Sequence, residues 1–133
     1  MPKLPWKELF DAAAAVRTRA YAPYSSFQVG AAALADDGSI HTGCNVENAS
    51  YGLGVCAERN AIARMVAEGR KKLVAVMIVI DTSEPTPPCG ACRQVMAELG
   101  GPDLAVASRN LEGQEARWTL KELLPFAFTK DFL

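Results

Sequence analysis

The sequence predicts an α/β domain in three layers, with a mixed five-stranded sheet held between helices. Three observations carry that prediction. Helical and strand patterns alternate along the chain in the order αββαβαββα. The run from Leu73 to Ile80 is wholly apolar and rich in β-branched residues, the pattern of a central strand covered on both faces. The chain has 133 residues, half of them apolar, which suits one core and a single domain spanning 1–133.

The elements follow in order. Leu4 to Ala20 reads as a helix, because Leu9, Ala13, Val16 and Ala20 form one stripe joined by Phe10 and Ala14. Pro23 is expected to end it, leaving residues 22–26 as loop. Phe27 to Leu34 reads as a strand, Asp36-Asp37-Gly38 as a hairpin turn, and Ser39 to Val46 as the antiparallel return. Glu47 to Val55 is loop, marked by Gly52 and Gly54. Cys56 opens a helix that runs to about Glu68 and stops at Gly69. After the strand Leu73–Ile80, the prolines at 85, 87 and 88 make a loop. Cys89 opens a second helix to about Leu99, stopped by Gly100-Gly101. Leu104–Ala107 and Glu115–Trp118 are short strands, and Thr119–Leu123 is a short helix before Pro125.

Composition excludes several classes of partner. Fourteen basic and 15 acidic residues leave a net charge of −1, so no strong field recommends nucleic acid or a membrane surface. The basic cluster Arg70-Lys71-Lys72 reads as the close of a helix, where cations meet the negative end of its dipole. Met1 to Trp6 holds no apolar run resembling a signal peptide, and Leu73–Ile80 is too short to span a bilayer. A cytoplasmic location is therefore expected. In a reducing compartment, four cysteines read as metal or redox chemistry rather than as disulfides.

Three of those cysteines fall in two motifs, Cys56-Ala57-Glu58 and Pro88-Cys89-Gly90-Ala91-Cys92. Together they offer three thiolates and one carboxylate. Three protein ligands leave the fourth position of a tetrahedral zinc free for water, and a nearby carboxylate can move that water's proton. Cys89 and Cys92 are spaced i, i+3 and share one helix face. Cys56 and Glu58 lie in the first turn of the other helix, where side chains tilt toward the N-terminus and reach past the helix end. Two helix N-termini would then point at one ion, and their dipoles would offset the thiolate charge. Arg59 can withdraw more charge by hydrogen-bonding a thiolate; its other reading is a surface helix arginine. A closed structural zinc site would need a fourth ligand, for which His41 and Cys44 are the candidates. A redox Cys-x-x-Cys would leave Cys56-x-Glu58 without a role.

The chain resembles the small, homotetrameric, free-nucleoside cytidine deaminases over nearly its whole length. The zinc motifs match the signature of the zinc deaminases generally. The resemblance extends to Tyr24-Ser25-Ser26-Phe27-Gln28-Val29-Gly30-Ala31-Ala32, to Gly43 through Tyr51, to Arg93-Gln94 after the second motif, and to Glu122-Leu123-Leu124-Pro125. Asn45-x-Glu47-Asn48 is the specific part. The resemblance implies the cytidine deaminase fold, Zn²⁺ on Cys56, Cys89 and Cys92, and Glu58 as proton shuttle. It implies ribose binding by Asn45 and Glu47, which otherwise read as loop-capping residues. Phe27 would pack on the pyrimidine, Ala57 would offer backbone groups to the base edge, and Arg59 would tune the thiolates. The implied reaction is hydrolytic deamination of cytidine and 2′-deoxycytidine to uridine and 2′-deoxyuridine plus ammonia, with no organic cofactor. The implied assembly is a homotetramer with shared active sites, Phe128 reaching a neighbour's nucleoside. The segment Phe126-Ala127-Phe128 and the tail ending in Phe132 are more aromatic than the family pattern. A blasticidin-type nucleoside deaminase, a polynucleotide editing deaminase and a structural zinc module are the alternative readings.

Overall fold

The computed structural model describes residues 3–133 and places five strands in one sheet, in the order β2-β1-β3-β4-β5. The strands are β1 (Val29–Ala35), β2 (Ile40–Cys44), β3 (Leu73–Ile80), β4 (Ala105–Arg109) and β5 (Glu115–Thr119). The helices are α1 (Trp6–Arg17), α2 (Ala57–Ala67), α3 (Gly90–Gly100) and α4 (Leu120–Leu123). The pair β3–β4 is parallel and the other three pairs are antiparallel, so the sheet is mixed as expected. Among the described residues, no helix is long and apolar enough to cross a membrane.

Strand alternation makes two cores from one sheet. Ala32 and Leu34 of β1 and Ala75, Met77 and Val79 of β3 face α1, where Leu9 and Ala13 are fully buried. The intervening residues Ala31, Ala33, Val76 and Ile78 face the other way. There they meet Ala61, Ile62 and Met65 of α2 and Cys92 and Met96 of α3. The small residues of β1 let helices approach closely. A Cβ on Gly43, in neighbouring β2, would lie 2.3 Å from the Ala61 backbone nitrogen and 2.7 Å from the Ala57 carbonyl oxygen. Strand β2 and helix α2 therefore touch backbone to backbone at this residue.

Several boundaries differ from the sequence expectation, each for a local reason. Helix α1 ends at Arg17 rather than Ala20. The Thr18 hydroxyl donates back to Ala15 O at 2.9 Å, and the next two amides bond three residues back, which tightens and ends the helix before Pro23. Strand β1 starts at Val29 rather than Phe27, because the Asn45 side chain takes over the ladder. Its Oδ1 accepts from Val29 N at 2.9 Å and its Nδ2 donates to Phe27 O at 2.7 Å. Strand β2 stops at Cys44, two residues early, and Val46 instead bridges Tyr21 and Val55. Strand β4 runs on through Ser108 and Arg109, whose polarity hid them. Fully buried Asn110 organises the turn that follows, accepting from Glu112 N and Gln114 N. Helix α4 is nucleated by a capping box between Thr119 and Glu122.

Candidate active site

Two helices begin with a cysteine at the same place in their caps. Cys56 precedes α2 with φ −68° and ψ 154°; Cys89 precedes α3 with φ −67° and ψ 167°. Neither side chain caps its own helix, so both thiols are free to turn toward each other. Cys92, in the first turn of α3, completes the group from below and is fully buried. Cys56 Sγ lies 3.7 Å from Cys89 Sγ, and Cys89 Sγ lies 3.4 Å from Cys92 Sγ. All three sulfurs fall within 4.8 Å of one another.

These separations fit zinc. Tetrahedral zinc–thiolate bonds of about 2.3 Å set ligand sulfurs roughly 3.8 Å apart. No other cluster of three or more metal-ligating side chains occurs among the described residues, and His41 and Cys44 stay outside this one. His41 is buried in β2, with Nε2 2.8 Å from Ser39 Oγ and Nδ1 3.1 Å from Glu68 Oε2. The Cys44 carbonyl accepts from Asn60 Nδ2, and its thiol joins no group. Three ligands without a protein fourth is the arrangement of an open, catalytic site.

The electrostatics favour a thiolate at Cys56. Its pKa is lowered to about 5, chiefly by the hydrogen bond with Cys92 and further by Arg59. Cys92 is pushed up by that same bond and by burial. Arg59 Nη2 lies 3.5 Å from Cys56 Sγ, and its own pKa is raised chiefly by that contact. The positive ends of α2 and α3 add to this field.

Glu58 is 5% exposed, and burial raises its pKa above the ordinary carboxylate value. It lines a cavity of about 210 Å³ with Phe27, Asn45, Cys56 and Ala57. The apolar walls are Val29, Ile78 and Ile80, and Thr86 and Pro87 complete the rim. Five of the residues singled out in the sequence thus meet in one cavity, since Phe27, Asn45, Cys56, Ala57 and Glu58 all line it. Thr86 and Pro87 carried no signal in the sequence beyond their closeness to Cys89.

Two expected residues sit elsewhere. Glu47 lines a neighbouring depression of about 360 Å³ with Tyr24, Ser25, Asn48, Tyr51 and Gly54. Its Oε1 accepts from Tyr24 N at 3.0 Å and Ser25 N at 3.1 Å, and its Oε2 accepts from the Ser25 hydroxyl. That hydroxyl holds the Glu47 carboxyl below its usual range. Both Asn45 and Glu47 therefore brace the loop around residues 24–29. Phe128 lies outside the cavity of its own chain and is 61% exposed, with its ring stacked on Phe132 at 5.9 Å. Phe126 is wholly exposed, on a backbone with φ +55°.

A mixed sheet whose two helix N-termini gather three cysteine sulfurs beside a buried glutamate defines a zinc-binding deaminase domain. Comparison with known proteins makes the assignment specific. Residues 5–108 match the family described as the cytidine and deoxycytidylate deaminase zinc-binding region. A cytidine deaminase from Halalkalibacterium halodurans is 54% identical over 123 residues, covering 92% of this chain and 93% of that protein. One from Mycobacterium tuberculosis is 43% identical over 133 residues, covering 100% and 96%. The crystal structure of cytidine deaminase from Burkholderia pseudomallei superposes with a TM-score of 0.90 at 49% identity, covering 94% of this chain and 100% of that one. The chain belongs to the cytidine deaminase family.

Proposed function

We propose that the protein hydrolyses the C4–amino bond of cytidine and 2′-deoxycytidine, giving uridine or 2′-deoxyuridine and ammonia. The observation that carries this reading is the buried Glu58 carboxyl sharing one small cavity with Cys56, Phe27 and Asn45. Cys56, Cys89 and Cys92 are the residues that would hold the ion. Zinc at such a site lowers the pKa of a water molecule in its open position to near neutral.

Everything else falls to the chain's own side chains. Phe27 offers a ring face for the pyrimidine, and Ile78 and Ile80 keep bulk water from the reacting carbon. The Ala57 backbone, at the first turn of α2, presents polar groups to the base edge. Glu58 takes a proton from water and delivers it to N3 of the ring, which makes C4 electrophilic. The hydroxide left behind bonds to C4, and the same carboxyl takes the proton of that new hydroxyl and passes it to the amino group, which departs as ammonia when the C4–N bond breaks. A pKa raised by burial suits a group that must both accept and return a proton near neutral pH. Asn45 and Glu47 bind the ribose. Their own hydrogen bonds to residues 24–29 hold that wall in place, leaving acceptor capacity on both side chains.

Pyrimidine salvage is the proposed role of this reaction, and four unpaired cysteines suit a reducing, cytoplasmic setting. The assembly is a homotetramer in which Phe128 closes a neighbour's site. Exposed Phe126, Phe128, Phe132 and Leu133 support it, as one aromatic tail that its own chain leaves uncovered. The test is an absorbance assay on cytidine, deoxycytidine and free cytosine, with zinc measured per chain. Turnover of both nucleosides with one zinc per chain is expected, and a zinc-loaded protein inert on both overturns the reading.

A further inference from the structure

Arg93 is a cation with no carboxylate partner among the described residues, although it is partly buried. Its guanidinium instead bridges two backbone carbonyls from distant parts of the chain. Nε donates to Pro88 O at 2.8 Å, and Nη1 donates to Leu123 O at 2.7 Å. Pro88 is the residue immediately before Cys89, in a stretch with no strand or helix to fix it. Two successive prolines lack amide hydrogens, so residues 87 and 88 cannot be held through donors of their own. The Pro88 carbonyl is the handle that Arg93 takes. Leu123 is the last residue of α4, whose terminal carbonyls have no partner within so short a helix. The neighbouring Gln94 extends the same pattern, donating from Nε2 to Phe128 O at 2.8 Å.

We propose that Arg93 is a positioning residue for the metal centre: by clamping Pro88 O to Leu123 O it fixes the direction in which Cys89 presents its sulfur. The inference rests on the zinc reading of the three cysteines. The clamp acts at Cys89 because Cys89 is the exposed member of the three, while Cys92 is set by the core. The guanidinium serves the two carbonyls from two separate nitrogens held in one plane, whereas a lysine carries its three donors on a single nitrogen. Partners that orient a metal ligand typically matter about 10- to 100-fold in metal affinity.

The test is zinc affinity by chelator competition, together with the absorption spectrum of the cobalt-substituted protein, in wild type, Arg93→Ala and Arg93→Lys. Backbone circular dichroism reports folding. Arg93→Ala is expected to raise the zinc Kd by about 10- to 100-fold and to shift the cobalt ligand-field bands. Arg93→Lys should retain the fold and still lose most of that affinity. If Arg93→Ala does not fold, Arg93→Lys carries the test alone. A zinc Kd and cobalt spectrum for Arg93→Lys indistinguishable from wild type overturn the proposal. A wild-type protein that binds no zinc overturns the zinc reading as well, so the two failures are told apart.

Discussion

The two halves of the site are built in opposite ways. The metal half consists of two helix N-termini whose cysteines converge within one chain, over a buried carboxyl. The proposed substrate half consists of a loop braced by Glu47 and Asn45 and of an exposed aromatic tail, where Phe128 stacks on Phe132 and its carbonyl accepts from Gln94. The difference teaches where each function draws its rigidity. Helix N-termini and a packed core bring the sulfurs together within one chain. The Phe128 ring is exposed, and in the proposed assembly it gains its role only where a neighbouring chain meets it.

Substitutions at Cys89, Glu58, Glu47 and Phe128 break or sharpen that contrast. The largest effect is expected from Cys89→Ala, which should lose the zinc and bring turnover to the detection limit; retained metal would mean that the three-sulfur cluster is not the site. Glu58→Gln separates chemistry from metal binding. It should keep one zinc per chain and lose about 10²- to 10⁴-fold in kcat, the usual contribution of a general acid–base. Residual turnover above a tenth of wild type would remove Glu58 from the mechanism.

The substrate half should respond more mildly and more selectively. Glu47→Ala is expected to cost cytidine about 10- to 100-fold in kcat/KM, as for loss of a hydrogen bond to a charged group, and to cost free cytosine little. Equal losses on both would make Glu47 purely a brace. Its bracing role has a pH signature of its own. The folded carboxyl is held below its ordinary pKa, so its stabilisation is complete above about pH 4.5 and is lost as pH falls through the folded value. The stability gap between wild type and Glu47→Gln should therefore shrink in acid, measured by denaturant titration at several pH values. A gap that widened would reverse the sign and refute the brace.

The smallest single effect is expected at the tail. Phe128→Ala should lower kcat/KM about 2- to 10-fold, the scale of an aromatic contact. Mixing it with Glu58→Gln chains should raise turnover per chain that keeps Glu58 above that of the Phe128→Ala parent, because an intact Glu58 then meets a neighbour's intact Phe128. Hybrids no better by that measure would place the tail on its own chain.

The sequence was legible where function is local and obscure where it is not. Cys89 and Cys92 are three residues apart, and Glu58 is two from Cys56, so local helix geometry brings the members of each pair together. The sheet was legible for a similar reason, since β3 announces burial on both faces by being apolar throughout. The Glu47–Ser25 and Arg93–Leu123 hydrogen bonds span 22 and 30 residues, and no local pattern records them. Asn45 shows the limit most clearly. Its side chain replaces two rungs of a ladder, so the strands on either side are shorter than their β-propensity suggests.

The close contact at Gly43 has a consequence well away from the chemistry. Helix α2 rests on β2 with its backbone against a bare α-carbon, and α2 carries Cys56 and Glu58 on its leading turn. Helix α3, carrying Cys89 and Cys92, does not rest on that residue. Gly43 is thus a spacer that sets the gauge between the two halves of the ligand set. A single methyl group there would lift one rod and not the other, changing the bore of the site while leaving every residue that lines it untouched.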